Sequence, residues 1–281
     1  RRLGGQPVPL WLKLLNGLGY LLLFRALKNS LGLLNGRIFV SGAAPLSNEL
    51  LEFYHAIGIP VRECFGMTEC AGISVIPDDD SIRVGQVGKP IPGMLMKLAG
   101  DGEIMLKGDS VFKGYYRLPK QTAEAFSEDG WLLTGDVGEM SPEGQLKIVD
   151  RKKDLIINAY GKNIAPSEIE NKLKFSPYIK EAIIIGDGRK YLSALIQLEL
   201  DNVSDWAQKN AIAYTTYKSL AENVEVIQLI DAGISKVNAS LARVEKIRKF
   251  TILSKELDQD DEEVTATMKV RRSTIEKKFG E

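Results

Sequence analysis

The stretch Gly130-Trp-Leu-Leu-Thr-Gly-Asp136, read together with Asp150-Arg-Lys-Lys-Asp154, decides the fold of this chain. Leu132–Met140 and Gln145–Asp150 are strand-like runs on either side of Ser141-Pro-Glu-Gly144, so the spacing predicts a hairpin. Asp136 lies in its first strand and a basic knot follows its second. A carboxylate can accept hydrogen bonds from both hydroxyls of a ribose, and an arginine fork can reach the same sugar or its phosphate. Taken singly, the two elements read equally well as an Asp-capped turn and a solvated basic loop.

Working outward, Met94–Leu98 and Glu103–Lys107 flank Ala99-Gly-Asp-Gly102 as another hairpin, so this middle segment reads as a small β-subdomain. Upstream, Gly36–Gly42 reads as a strand running into a glycine turn, Ser47 caps a helix through Ile57, and Ile59–Cys64 forms a second strand. Strand, helix, strand is the rhythm of an α/β unit, whose ligands bind in the loops at the strand ends. Ala43–Pro45 and Phe65–Glu69 occupy those loops. Downstream, Pro166 opens a helix through Leu173, two β-rich runs (Glu181–Gly186 and Tyr191–Leu200) flank Asp187-Gly188, a long amphipathic helix covers Tyr217–Leu241, and a strand lies near Phe250–Leu253. The expected organisation is α/β followed by α+β, with domains at 1–150 and 151–281.

Composition narrows the function. Lys+Arg and Asp+Glu both number 37, so no overall field draws nucleic acid, and basic residues are not interleaved with aromatics. One histidine, His55, makes a histidine-based metal site or a Ser-His-Asp triad improbable; its place on an expected helix suits a partly buried structural role. Cys64 and Cys70 can pair, but free thiols in a reducing cytosol are expected for a chain of this size. The apolar run Leu10–Phe24 is interrupted by Lys13, Asn16, Gly17 and Gly19, which reads as a core helix too short to span a bilayer. The chain begins at Arg1 with no signal peptide, which reads as a fragment.

Four motifs then stand in order: Ser41-Gly-Ala-Ala-Pro-Leu46, Cys64-Phe-Gly-Met-Thr-Glu-Cys70, the Asp136 stretch and the Arg151 knot. Together they resemble the adenylate-forming (AMP-binding) superfamily of acyl-CoA synthetases, luciferases and peptide-synthetase adenylation domains, and most resemble its bacterial long-chain fatty acyl-CoA synthetases. The resemblance implies the C-terminal part of a large adenylate-forming domain followed by a small mobile α+β domain. It implies that Gly42, Ala43 and Ala44 line an adenine pocket beside Phe65 and Gly66, that Thr68 contacts the α-phosphate, and that Glu69 holds magnesium. Asp136 and Arg151 are implied at the ribose, Lys153 at the hinge, and Gly161, in Tyr160-Gly-Lys-Asn163, at the pantetheine arm of coenzyme A. Val264-Thr-Ala-Thr-Met-Lys269-Val-Arg-Arg272 resembles the terminal motif that supplies the adenylation lysine, here Lys269. Arg271, Arg272 and Lys277 suit a solvated basic helix.

The implied reaction joins a long-chain fatty acid to coenzyme A through acyl-AMP, with ATP cleaved to AMP and pyrophosphate and Mg2+ as cofactor. The implied location is the cytoplasm, with peripheral contact at the inner face of the membrane left open. The long-chain preference is implied by the resemblance alone, particularly that of Leu10–Leu34 and Asp201–Ala242. The family's Ser/Thr/Gly-rich phosphate loop ending in Pro-Lys-Gly does not occur in this sequence. Two alternatives stay open: a fatty acyl-AMP ligase feeding a carrier protein, and a non-catalytic nucleotide-binding remnant.

Overall fold

A computed structural model describes residues 8–266 and 269–279. The chain divides into two compact units, Arg1–Lys152 and Lys153–Glu281.

The first unit opens with a continuous helix over Leu10–Ser30: α1 (Leu10–Gly19), one π turn (Tyr20–Phe24) and α2 (Arg25–Ser30). The expectation of a short, broken core helix is corrected here. The glycines and Asn16 do not interrupt the backbone ladder, and the 21-residue helix is long and apolar enough, by length and composition, to cross a membrane. None of its residues is buried. Its anchors are polar, with Asn16 and Lys28 donating to the carbonyls of Ala56 and Gly58. Leu14, Leu15, Leu21, Leu22 and Leu23 stay exposed, because α1 and α2 carry leucine on most of their circumference and the described chain covers only one side, half-burying Leu12, Phe24 and Leu27.

The α/β unit follows as expected. β1 (Phe39–Ser41) and β2 (Val61–Glu63) pair in parallel, with α3 (Asn48–Ala56) between them. Ser47 caps α3 by accepting from the Leu50 amide at 3.2 Å, and Gly58 (φ +81°) closes it. His55 bridges from α3 to the Val61 carbonyl at 2.9 Å, a structural contact.

Phe65–Glu69 is not a plain loop. β3 (Phe65–Met67) pairs antiparallel with β4 (Gly72–Ile76), which pairs with β5 (Lys89–Pro90). Gly66 therefore serves close strand approach rather than a turn: a Cβ there would sit 1.8 Å from the Gly72 carbonyl oxygen. The two expected hairpins form one antiparallel meander of β6 (Met94–Leu98), β7 (Glu103–Gly108), β8 (Leu132–Met140) and β9 (Leu146–Arg151). The short helix α4 (Pro119–Glu124) interrupts the connection from β7 to β8. Phe65, Val75, Ile104, Leu106, Leu132 and Leu146 unite the two sheets in one core. Each fully buried aliphatic there is worth about 1.5–3 kcal/mol.

The second unit is the expected α+β module. A two-residue ladder, β10 (Ile156–Ile157) with β11 (Asn163–Ile164), leads into α5 (Pro166–Lys174). β13 (Leu192–Leu198) lies between β12 (Ile179–Ile185), antiparallel to it, and β14 (Ile247–Ile252), parallel to it. Both faces of this sheet are covered. Ala182, Ile184, Ala194 and Ile196 pack with α5, α6 (Leu200–Lys209) and α8 (Val224–Ser240), while Ile183, Ile185 and Leu195 pack with Leu257, Val264 and Ile275 of the C-terminal segment. The single helix expected over Tyr217–Leu241 is two, α7 (Tyr217–Ala221) and α8, because Asn223 takes extended backbone and caps α8 through the amides of Glu225 and Val226.

Candidate nucleotide and acyl-transfer site

Parallel pairing of β1 and β2 puts their C-terminal ends side by side, the position at which open α/β sheets bind ligands. Gly42-Ala43-Ala44 leaves β1 there, exposed. Gly42 is close to the neighbouring strand's end, since a Cβ would lie 2.7 Å from Cys64 Sγ. Ala43 takes φ 68°, a left-handed backbone that a small side chain tolerates better than a large one. Glu63 fixes the loop by accepting the Leu46 amide at 3.0 Å, and burial holds its carboxyl above the ordinary carboxylate range. Cys64 and Cys70 are free thiols, both raised above the usual thiol range, mainly by burial.

Past β2, the Phe65 side chain belongs to the core, so only its backbone is available to a ligand. Thr68 and Glu69 sit in a 3-10 turn, Thr68–Cys70, whose Thr68 is exposed and whose exit residue Ala71 is left-handed. Two contacts orient Glu69. Its carbonyl accepts the Phe112 amide at 2.7 Å, and its carboxylate accepts the Tyr115 hydroxyl at 2.8 Å. The ring of Tyr115 lies edge-on to Phe112, and the Glu69 hydrogen bond pushes the Tyr115 phenol up. Among the described residues no group of three or more His, Cys, Asp or Glu is placed to hold a metal ion. A single carboxylate beside a threonine hydroxyl nevertheless fits magnesium, which keeps most of its waters and is delivered with phosphate.

On the meander, alternation turns Leu132, Thr134 and Asp136 to the same buried face of β8, and the register sets Asp136 directly opposite Arg151 on β9. Arg151 Nε donates to Asp136 Oδ1 at 2.8 Å; the carboxylate is nearly enclosed and the guanidinium half-exposed. The Thr134 hydroxyl accepts the Asp136 amide and donates to the Ile104 carbonyl at 2.7 Å. Gly135 needs its φ of +70°, and its amide donates to Glu103 Oε1 at 2.9 Å. The other Glu103 oxygen accepts Lys152 Nζ at 2.8 Å, and Asp101 accepts the same ammonium at 2.6 Å. These two partners hold the lysine above its usual range, and Lys152 in turn holds Asp101 below its own. Sequence reading passed over Glu103, Lys152 and Tyr115. Their importance comes from partners 32, 49 and 46 residues away, which no local spacing reveals.

In the second unit, Lys153 is the first residue and is exposed. Gly161 has φ +75° in the turn between β10 and β11, with open space where a Cβ would point. Asn158 builds that turn by accepting the amides of Tyr160 and Lys162 at 3.0 Å each. Lys269 lies in a narrow loop closed by the Val264–Val270 bridge, where its amide and carbonyl meet the Thr265 hydroxyl and amide at 3.1 and 2.8 Å. Thr267 and Met268 of the terminal motif lie outside the described residues. Below the loop, fully buried Glu263 accepts Lys255 and Lys278, each at 3.2 Å. Arg272, at the start of α9 (Arg272–Phe279), is not a solvated helix residue as expected. Its guanidinium is largely buried, pairs with Glu170 at 2.6 Å and donates to the Ile184 carbonyl at 2.8 Å, because Glu170 would otherwise stand in the core without a cation.

Comparison with known proteins places this arrangement. The AMP-binding enzyme family model matches residues 10–116, and the AMP-binding enzyme C-terminal domain model matches residues 153–281. The chain belongs to the AMP-binding enzyme family. Over 92% of its length it is 39% identical to the long-chain-fatty-acid–CoA ligase FadD15 of Mycobacterium tuberculosis and 42% identical to the putative fatty-acid–CoA ligase fadD11 of the same species. Those matches cover 43% and 45% of the relatives, so the chain spans less than half the length of the curated proteins it resembles. Human long-chain-fatty-acid–CoA ligase 1 is 33% identical over 94% of the chain and 40% of its own length. Among solved structures, the O-succinylbenzoate coenzyme A synthetase of Bacillus subtilis in complex with ATP and magnesium ion superposes with a TM-score of 0.64 at 28% identity, over 84% of this chain and 46% of that one. The adenylation domain of a Mycobacterium chelonae carboxylate reductase gives 0.67 at 25% identity, over 88% and 38%. The expected fold, the C-terminal part of an adenylate-forming domain with its small α+β module, is the fold found.

Proposed function

We propose that this chain is the C-terminal part of an AMP-forming long-chain fatty acid–CoA ligase. The observation that carries the reading is the 39–42% identity to the mycobacterial ligases over 92% of the chain, a length that reaches into both units. In this reading ATP lies over the ends of β1 and β2, its adenine against Gly42–Ala44 and its ribose hydroxyls on Asp136. Asp136 suits that task because it is held by its strand and already oriented by Arg151, so little ordering is required when a sugar arrives. Thr68 meets the α-phosphate. Glu69 would hold magnesium, which would supply charge neutralisation at the phosphates.

Adenylation is attack of the fatty carboxylate on the α-phosphorus with release of pyrophosphate. Lys269 carries a compact ammonium suited to bridging both anions as charge builds in the transition state. The second half-reaction, displacement of AMP by the coenzyme A thiolate, follows rotation of the small unit at Lys153. Lys269 is withdrawn and the Gly161 turn, whose open backbone permits close approach of a pantetheine arm, replaces it. The same reading places the protein in the cytoplasm, with the apolar Leu10–Ser30 helix as the element available for peripheral membrane contact.

The test is fatty-acid-dependent ATP–pyrophosphate exchange by this chain joined to the N-terminal region of FadD15, with palmitate and short carboxylates compared. Exchange with palmitate, and palmitoyl-CoA once coenzyme A is added, supports the reading. Exchange without any coenzyme A product would instead indicate a ligase that passes its adenylate to another acceptor.

A further inference from the structure

The two units meet in sequence between Lys152 and Lys153, and Lys152 is held to the first unit at two places. Its amide donates to the Gly135 carbonyl at 2.8 Å, and its ammonium sits between Glu103 and Asp101. Glu103 is the shared element. Its carboxylate, only 9% exposed, takes the Lys152 ammonium on one oxygen and the Gly135 amide on the other. Gly135 immediately precedes Asp136, and Arg151 immediately precedes Lys152. One buried carboxylate therefore ties the strand carrying the candidate ribose ligand to the last residue before the candidate hinge.

We propose that Glu103 is a positioning residue that confines hinge rotation to Lys153 and beyond, so that the small unit turns without disturbing the Asp136–Arg151 pair. The proposal rests on the reading of Asp136 as ribose ligand and Lys153 as hinge. The physical argument is one of relative stiffness. A rotating segment applies torque to the residue before it, and without the clamp that residue is Lys152, with its neighbour Arg151 drawn along. Two charge-assisted bonds on the side chain and one backbone bond oppose this, and charge-assisted bonds outlast neutral ones. Asp101 is half-exposed, so its share in holding Lys152 is the smaller one.

Two measurements on the 281-residue chain test this. Residue-resolved amide hydrogen exchange is compared for wild type, Glu103→Gln and Asp101→Asn, and AMP affinity is measured by calorimetry on the same proteins. Glu103→Gln should speed exchange at Gly135 and Lys152 by about tenfold, while amides elsewhere in β6–β8 stay within about twofold. Its AMP dissociation constant should rise by about tenfold. Asp101→Asn should change each by less than about threefold. Uniform acceleration across the sheet would mean Glu103 is merely structural, and unchanged exchange at Lys152 would mean it clamps nothing; either overturns the proposal. If wild type fails to bind AMP, the ribose reading falls by itself and the exchange data still decide whether Glu103 clamps the hinge. Should Glu103→Gln not fold, Lys152→Met, which removes the same ammonium from the other side, must give the same local exchange pattern.

Discussion

The two units hold their candidate catalytic charges in different ways. Asp136 and Arg151 face each other across a regular antiparallel ladder, so the sheet itself sets their separation. Lys269 lies next to the Val264–Val270 bridge, with the buried Glu263 paired to Lys255 and Lys278 on one side in sequence and a helix held by Glu170 on the other. The first arrangement is fixed by a regular ladder, the second by a single bridge whose flanking segments are held by ion pairs of buried carboxylates. Under the proposed ligase reading, the ladder would keep the nucleotide in place through both half-reactions while Lys269 moves with the second unit.

The sharpest way to break the comparison is Lys269→Ala in the chain completed with a relative's N-terminal region. Adenylation should fall by about a thousandfold, while thioester formation from supplied acyl-adenylate stays near wild type; equal loss in both assays would deny Lys269 its separable role. Next comes Glu170→Ala, which leaves Arg272 largely buried without its carboxylate. Urea unfolding of the second unit should lose about 3 kcal/mol, and a loss below about 1 kcal/mol would show that α9 is held by packing around Ile275 instead.

The corresponding break in the first unit is Gly66→Ala. Its methyl would collide with the Gly72 carbonyl, and separating β3 from β4 should cost about 2–3 kcal/mol in the same assay, with the second unit unaffected. The smallest effect is in acid. Asp129, hydrogen-bonded by Ser127 and then Lys97, is lowered to about 2. A carboxyl lowered on folding adds stability above its unfolded value of about 3.9, and that stability is lost as pH falls through the folded value. Asp129→Asn should therefore flatten the first unit's stability profile between about pH 4 and pH 2, read by circular dichroism against pH. An unchanged profile would show that the exposed Lys97–Asp129 pair contributes nothing measurable.

What the sequence disclosed, and what it did not, follows the same division. Ser47 as a cap, the strand–helix–strand unit and the two hairpins of the meander were legible because turn chemistry and alternation are local. Phe65-Gly66 read as a loop because a three-residue strand is too short for its period to show, and the need for Gly66 lies in a carbonyl across the ladder. The break at Asn223 was hidden by apolar residues that continue through it. Arg272 read as solvated because its partner, Glu170, stands 102 positions away. Likewise, Glu103 looked like one more polar strand residue, since neither Gly135 nor Lys152 is near it in sequence.

The central claim is that the β8–β9 pair forms the sugar end of a nucleotide site already built into this chain. Calorimetric titration of the wild-type chain and of Asp136→Ala with AMP tests it most directly. The account requires one AMP per chain, bound at least tenfold more weakly by the variant, with the fold unchanged by circular dichroism. Equal affinity in the two proteins would contradict it.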